Sequence, residues 1–262
     1  MTISPSTHPK PTIVLIPGAW HTPTHYAALT SSLASSAYSV LPIQLPSVSS
    51  ANSPEIAKSI QASTDVEHVR SKIIPLLESG KDVIVLAHSY GGFIGGNAIG
   101  GLGPGQRDGA HVKGIVIIAG FPTLKGKKFL DNFPGGKYHD WVDDDNTSTT
   151  GTTNLRNPGP LFYHDVLTTS ESSTAISNLQ PHALSSWQTP LPYEGFESPS
   201  FNSRRAYIYC EHDQAFPFFA QELTVKGTGV DWETRKMETG HSPFLSRPDE
   251  TKDVVLDLIK DW

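Results

Sequence analysis

Cysteine, methionine and net positive charge are all scarce in this chain of 262 residues, and each shortage removes a class of explanation. Cys210 is the only cysteine, so no disulfide forms within the chain and no thiolate cluster holds a metal. Acidic residues outnumber basic ones, 26 against 20, and the formal net charge is −6. Such a balance leaves no basic footprint for nucleic acid or an anionic membrane. No run of like charge is longer than Asp143 to Asp145. Long apolar runs are missing too. The start, MTISPSTHPKP, lacks the apolar stretch of a secretion leader, and nowhere do the roughly 18 consecutive apolar residues of a membrane span occur. The expectation is a cytoplasmic protein whose partner is a small, uncharged or weakly charged molecule. Nucleic acid and membrane are not expected partners, no cofactor or metal is required, and a homodimer is compatible with the sequence.

What is present is a regular alternation of short apolar runs with helical patterns, the mark of a doubly wound, mostly parallel α/β sheet covered on both faces. Thr12 to Ile16 reads as the first strand and ends at Pro17-Gly18. A helix is expected over about 25–37 and a strand over 40–45. A stronger helix follows, with Thr64 as N-cap and Glu67 completing a capping box. Val66, Val69, Ile73, Leu76 and Leu77 form its apolar stripe, Gly80 ends it, and Pro75 should kink it or shift its boundary. Residues 83–86 and 112–120 are further buried strands. From 122 to about 203 the chain turns rich in Gly, Pro, Ser, Thr and Asn yet keeps Trp141, Phe162, Tyr163, Trp187, Tyr193 and Phe196, too aromatic for a disordered linker. This reads as a lid of short helices and perhaps a hairpin. The division expected is a core over 1–121 and 204–262, interrupted by a lid over 122–203. Residues 206–210, a helix from about Pro217, a strand near 231–237 and a helix from Pro248 to Trp262 complete the core.

The segment DVIVLAHSYGG, Asp82 to Gly92, concentrates the chemical information. Its apolar strand stops at Ser89, between small residues, and a glycine-rich helical pattern follows. In the nucleophile elbow G-x-S-x-G, small neighbours allow a strained serine and a close helix. Here Ala87 replaces the first glycine and Gly91 keeps the second. An ordinary strand-to-helix turn is the bland alternative. A serine hydroxyl needs a base, and the base an orienting acid. In elbow folds they follow in the order Ser, Asp or Glu, His. His241 in ETGHSPF is the candidate base, and His88 should point away from the site by strand alternation. Asp213 in CEHDQAFP is the candidate acid, with Asp131 and Glu211 as rivals; helix capping is its alternative role. Two main-chain N–H groups are also needed for an oxyanion. Tyr90, directly after the serine, and Ala19, in the loop IPGAWH, are the candidates. Trp20, His21, Phe121, Trp187, Phe216 and Phe244 are candidate pocket residues, although each is as readily explained as core.

At this point the chain resembles the α/β-hydrolase superfamily, and within it the group of plant methyl salicylate and methyl jasmonate esterases and the hydroxynitrile lyases. The resemblance runs through IPGAWH, AHSYGG, VIIAGF, RAYIYCEHDQAFP and TGHSPF, which is most of the core and little of the lid. It implies Ser89 as nucleophile, Asp213 and His241 as acid and base, and Ala19 and Tyr90 as oxyanion donors. Pro17 departs from the family's usual histidine. The lyases carry a threonine at the position of Gly18 and a lysine at that of Ser242, so the cyanide chemistry loses its support here. The expected reaction is cleavage of an ester or lactone of a small apolar substrate through an acyl-enzyme on Ser89. The alternatives are a C–C bond hydrolase or lyase on the same fold, or a small-molecule receptor with residual hydrolysis. A metal site built on His212 and Asp213 lacks the spacing of a ligand set.

Overall fold

The computed structural model describes residues 9–49, 53–166 and 168–262; most of the N-terminal stretch inspected for a leader lies outside them. Among the described residues nine strands run in chain order: β1 (Thr12–Ile16), β2 (Val40–Pro42), β3 (Val83–His88), β4 (Val112–Ile118), β5 (Val142–Asp143), β6 (Thr152–Leu155), β7 (His182–Ala183), β8 (Arg205–Cys210) and β9 (Glu233–Met237). Six of them form one sheet in the order β2-β1-β3-β4-β8-β9, with every neighbouring pair parallel. The fold is α/β, and β3, which leads to Ser89, lies in the interior of the sheet.

Sheet position explains strand composition. β1, β3 and β8 are buried along their whole length, as continuous apolar runs require when both faces are covered. Side chains alternate between two cores. Val14, Ile16, Val85 and Ala87 face one side with Val66, Val69 and Phe93. Ile13, Leu15, Ile84 and Leu86 face the other, against Leu29, Leu33, Val255 and Leu258. β9, ETRKM, is largely exposed at the sheet edge, and its charges discourage pairing with another chain.

Local boundaries shift for identifiable reasons. The expected helix over 25–37 is a 3-10 turn at Pro23–Tyr26 followed by Ala27–Ser35. The strand over 40–45 stops at Pro42, whose ring supplies no N–H. The helix expected from Thr64 starts at Ala62: Gln61 is its N-cap, and Thr64 is the third helical residue, accepting the Gln61 N–H at 3.1 Å. Pro75 is accommodated within that helix, which ends at Glu78 before Gly80 at φ +80°.

Between β4 and β8 the chain leaves the sheet for residues 119–204. That stretch carries a small antiparallel sheet, β5-β6-β7, and helices including Pro158–Phe162, Thr169–Ser177 and Ser185–Gln188. Its aromatic side chains pack onto the same core as the face of the sheet bearing Val85 and Ala87. No helix among the described residues is long and apolar enough to cross a membrane.

Candidate active site

Ser89 stands between β3 and the helix Tyr90–Ala98 with φ 51° and ψ −122°. A non-glycine residue at positive φ is strained, and the surroundings have to hold it. They do so with three backbone bonds: Ser89 N–H donates to the Ile118 carbonyl at 3.1 Å, and the Ser89 carbonyl accepts the Gly92 N–H at 2.9 Å and the Phe121 N–H at 3.3 Å. Close approach is enforced by what is missing. A Cβ on Gly91 would lie 2.3 Å from the Ile16 carbonyl oxygen, and one on Gly120 would lie 2.8 Å from the Ser89 carbonyl oxygen. Ala87 fits where the elbow pattern has glycine because the helix yields instead: Gly95 presents no Cβ toward Ile16 and Ala87.

His241 follows β9 in the loop before Pro243–Ser246, and Asp213 follows β8. The parallel sheet brings both to the strand ends where β3 delivers Ser89. The His241 Nδ1–H donates to Asp213 Oδ2 at 2.6 Å, with side chains 4% and 0% exposed. Asp213 Oδ1 accepts the N–H groups of Ala215 and Phe216, each at 2.8 Å. The carboxylate therefore serves as turn anchor and imidazole partner together. The rival acids lie elsewhere. Asp131 is exposed and bonds the Lys128 N–H within its own turn, and Glu211 pairs with Lys236 at 3.7 Å. Ser89 and His241 line one cavity. Among the hydrogen bonds of the described residues none yet joins the Ser89 hydroxyl to the imidazole, a contact that commonly tightens only with substrate bound.

Two amides close to Ser89 in the chain or at the cavity, those of Tyr90 and Ala19, have no acceptor among the hydrogen bonds of the described residues. Tyr90 is the first residue of its helix, so its N–H has no intrahelical acceptor. The Ala19 N–H is likewise without a partner among the hydrogen bonds of the described residues. Ala19 sits in a turn closed by the His21 N–H on the Gly18 carbonyl at 3.2 Å. The Tyr90 side chain is spoken for in the core, where its hydroxyl donates to Asp65 Oδ2 at 2.9 Å.

The cavity is lined by Ala19, Ser89, His241 and a ring of aromatic side chains. Trp20, Phe121, Trp187 and Phe216 are among them; Phe121 and Phe216 stack with centroids 4.2 Å apart. His21 and Phe244 do not line it. His21 is 1% exposed behind the turn, and Phe244 is stacked on Tyr26 at 4.1 Å. Both follow a candidate site residue closely, but their side chains turn into the second packing layer. Trp141 and Phe162, named from sequence only as aromatics of the inserted stretch, line it as well, and Phe162 stacks on His241 with centroids 5.0 Å apart; Phe129, Phe133 and Tyr138 were not singled out. Aromatic enrichment of the inserted stretch was the available signal. Among the described residues no Asp, Glu, Lys or Arg lines the cavity. His88, expected to point away, is buried with its ring 4.7 Å from that of His241. Among the described residues no group of three or more His, Cys, Asp or Glu is placed to hold a metal ion.

An interior strand ending in a strained serine, with a histidine–aspartate pair after β9 and β8 at the same edge of the sheet, defines a recognisable class of protein. The chain belongs to the alpha/beta hydrolase family, whose model matches residues 13–254. Among characterised sequences it is similar to the alpha/beta hydrolase nvfD of Aspergillus novofumigatus, 28% identical over 250 residues covering 92% of this chain and 93% of that one. It is also similar to norfluorocurarine synthase 2 of Strychnos nux-vomica, 26% identical over 266 residues and 94% of each chain. Solved structures of the same fold include a pyrethroid hydrolase from Sphingobium faniae, with TM-score 0.76 and 19% identity over 96% of this chain and 98% of that one. A methylesterase from Arabidopsis aligns with TM-score 0.70 and 15% identity over 97% and 100%. At these identities the structural likeness speaks for the fold alone.

Proposed function

We propose that the protein is a serine hydrolase cleaving an ester or lactone of a small, uncharged, largely apolar substrate. The observation that carries this reading is the 2.6 Å bond to the buried Asp213 from His241, which lines one cavity with the strained Ser89. Asp213 holds the imidazole with Nδ1 protonated, which leaves Nε2 as the acceptor able to take the Ser89 proton. Ser89 Oγ attacks the carbonyl carbon, and the Ala19 and Tyr90 amides meet the negative charge that develops on the carbonyl oxygen. His241 returns the proton to the departing alkoxide, leaving an acyl-enzyme. Water, deprotonated by the same imidazole, then releases the acid. The lining without charged side chains supports a neutral substrate, because a buried carboxylate there would find no counter-ion.

The test is turnover of neutral aryl esters, methyl esters of aromatic acids and lactones. Ser89→Ala is expected to remove turnover and labelling by a fluorophosphonate. Asp213→Asn should cost about 10³- to 10⁴-fold in kcat by disturbing the imidazole tautomer, whereas Asp131→Asn should be silent. Saturable binding of these compounds with no product would instead favour a receptor.

A further inference from the structure

Trp20 has φ +63° as the third residue of the turn Gly18–His21. Ala19 is not at positive φ, so the turn is of type II, whose third position favours glycine. A tryptophan there has to be held from outside. Hydrogen bonds from the stretch between β4 and β8 do this. The Trp20 carbonyl accepts the Gln180 N–H at 2.9 Å, and the Trp20 indole N–H donates to the Thr153 carbonyl at 3.1 Å. The third passes through a side chain. Ala19 offers its carbonyl to His21 Nδ1–H at 2.7 Å, and a carbonyl only accepts. Burial keeps His21 neutral, well below its ordinary pKa, so its Nε2 is the acceptor for the Tyr163 O–H at 2.9 Å.

The residues beside Tyr163 reach the other half of the site. Phe162 stacks on the His241 ring. Asp165 Oδ2 accepts the Gly240 N–H at 2.7 Å and the Ser246 hydroxyl at 2.9 Å, on either side of His241. Gly240 has to be glycine for this approach, since a Cβ there would lie 2.6 Å from His164 and 2.7 Å from Asp165.

We infer that residues 162–165 form a strap that positions both halves of the site, Tyr163 acting through His21 on the turn bearing the Ala19 amide and Asp165 acting on the loop bearing His241. The inference rests on the hydrolase reading above. Neither residue touches the reacting atoms; both are positioning residues. Cutting the relay frees Trp20 to relax toward negative φ and the Ala19 carbonyl to turn, and the adjoining Gly18–Ala19 peptide, which carries the oxyanion donor, shifts as the turn relaxes. Binding is largely retained, because the aromatic lining stays.

Five variants assayed with a neutral aryl ester, His21→Ala alone among them, test this. Tyr163→Phe, which removes one oxygen, is expected to lower kcat about ten- to a hundredfold while KM stays within about threefold. The same substitution in a His21→Ala background should cost little more, because the relay is already cut. Asp165→Ala should lower kcat in the same manner, and Asp165→Asn, which keeps an acceptor oxygen, should restore it. A kcat within twofold of wild type for Tyr163→Phe, or losses at Tyr163 and His21 that simply multiply, overturns the strap. Turnover by Ser89→Ala overturns the underlying reading instead, so the two failures are distinguishable.

Discussion

His88 donates its Nε2–H to the main-chain carbonyl of His241 across 2.9 Å. A carbonyl can only accept, so Nδ1 is the unprotonated nitrogen and takes the Tyr26 O–H at 2.8 Å. Burial, with His241 adding to it, holds the His88 pKa well below the ordinary range and the ring stays neutral. Tyr26 in turn accepts the Gly18 N–H at 2.9 Å. One buried chain of bonds thus ties the turn bearing Ala19 to the loop bearing His241 through the residue before Ser89.

Breaking that chain at its centre should be costly. His88→Leu keeps much of the volume but leaves the Tyr26 O–H without an acceptor and the His241 carbonyl without its donor in the interior. Each orphaned group costs about 1–3 kcal/mol. Urea denaturation should therefore show a loss on the order of 2–5 kcal/mol, with kcat for ester cleavage falling at least tenfold. A variant as stable and active as wild type would show that water takes over both bonds.

Much of this fold was legible because buried parallel strands are written as continuous apolar runs, and residues 12–16, 83–86 and 206–210 are such runs. Side-chain partnerships across the chain were harder to see. Thr64 looked like a cap because it precedes an acidic pattern, but the helix recruits Gln61 one turn earlier. His88 obeys strand alternation, yet the face it turns to contains the His241 loop, which only the tertiary path reveals. The cavity wall is the extreme case. Which aromatic rings of residues 122–203 face Ser89 depends on β5, β6 and β7, strands of two to four residues with too little periodicity to announce themselves. Trp20 and Phe216 could be named as pocket residues because they flank chemically marked segments; Phe162 could be named only as one aromatic of the inserted stretch among several.

Asp65 gives a prediction in pH. Burial raises its carboxyl from 3.8 to about 6, against the opposing bonds from Ser47 and Tyr90. The folded-state pKa lies above the unfolded one, so between about pH 4 and pH 6 the folded protein binds more protons. The contribution of Asp65 to stability is then present below pH 4 and lost as pH rises through 6, by about 3 kcal/mol in all. Asp65→Asn has no such dependence. Denaturation midpoints measured from pH 4 to pH 7 should show the advantage of wild type over Asp65→Asn shrinking by about 2–3 kcal/mol. A constant difference across that range would mean that the carboxyl titrates normally.

The altered elbow pattern separates steric need from sequence habit. Gly91→Ala drives a Cβ to 2.3 Å from one backbone oxygen and 2.7 Å from another, those of Ile16 and Pro17. No side chain can move to relieve this, so the helix must leave the sheet, and a loss exceeding about 4 kcal/mol or failure to fold is expected. Ala87→Gly would recreate the first glycine of the pattern but should do nothing for turnover. Ala87 is fully buried and its methyl already has room against Gly95. Removing it should cost about 1 kcal/mol in strand entropy and packing, with kcat within about twofold of wild type. Thermal melts and ester kinetics on the two variants would check this. An increase in kcat on Ala87→Gly would mean that the alanine constrains Ser89, and that the helix has not fully absorbed the extra methyl.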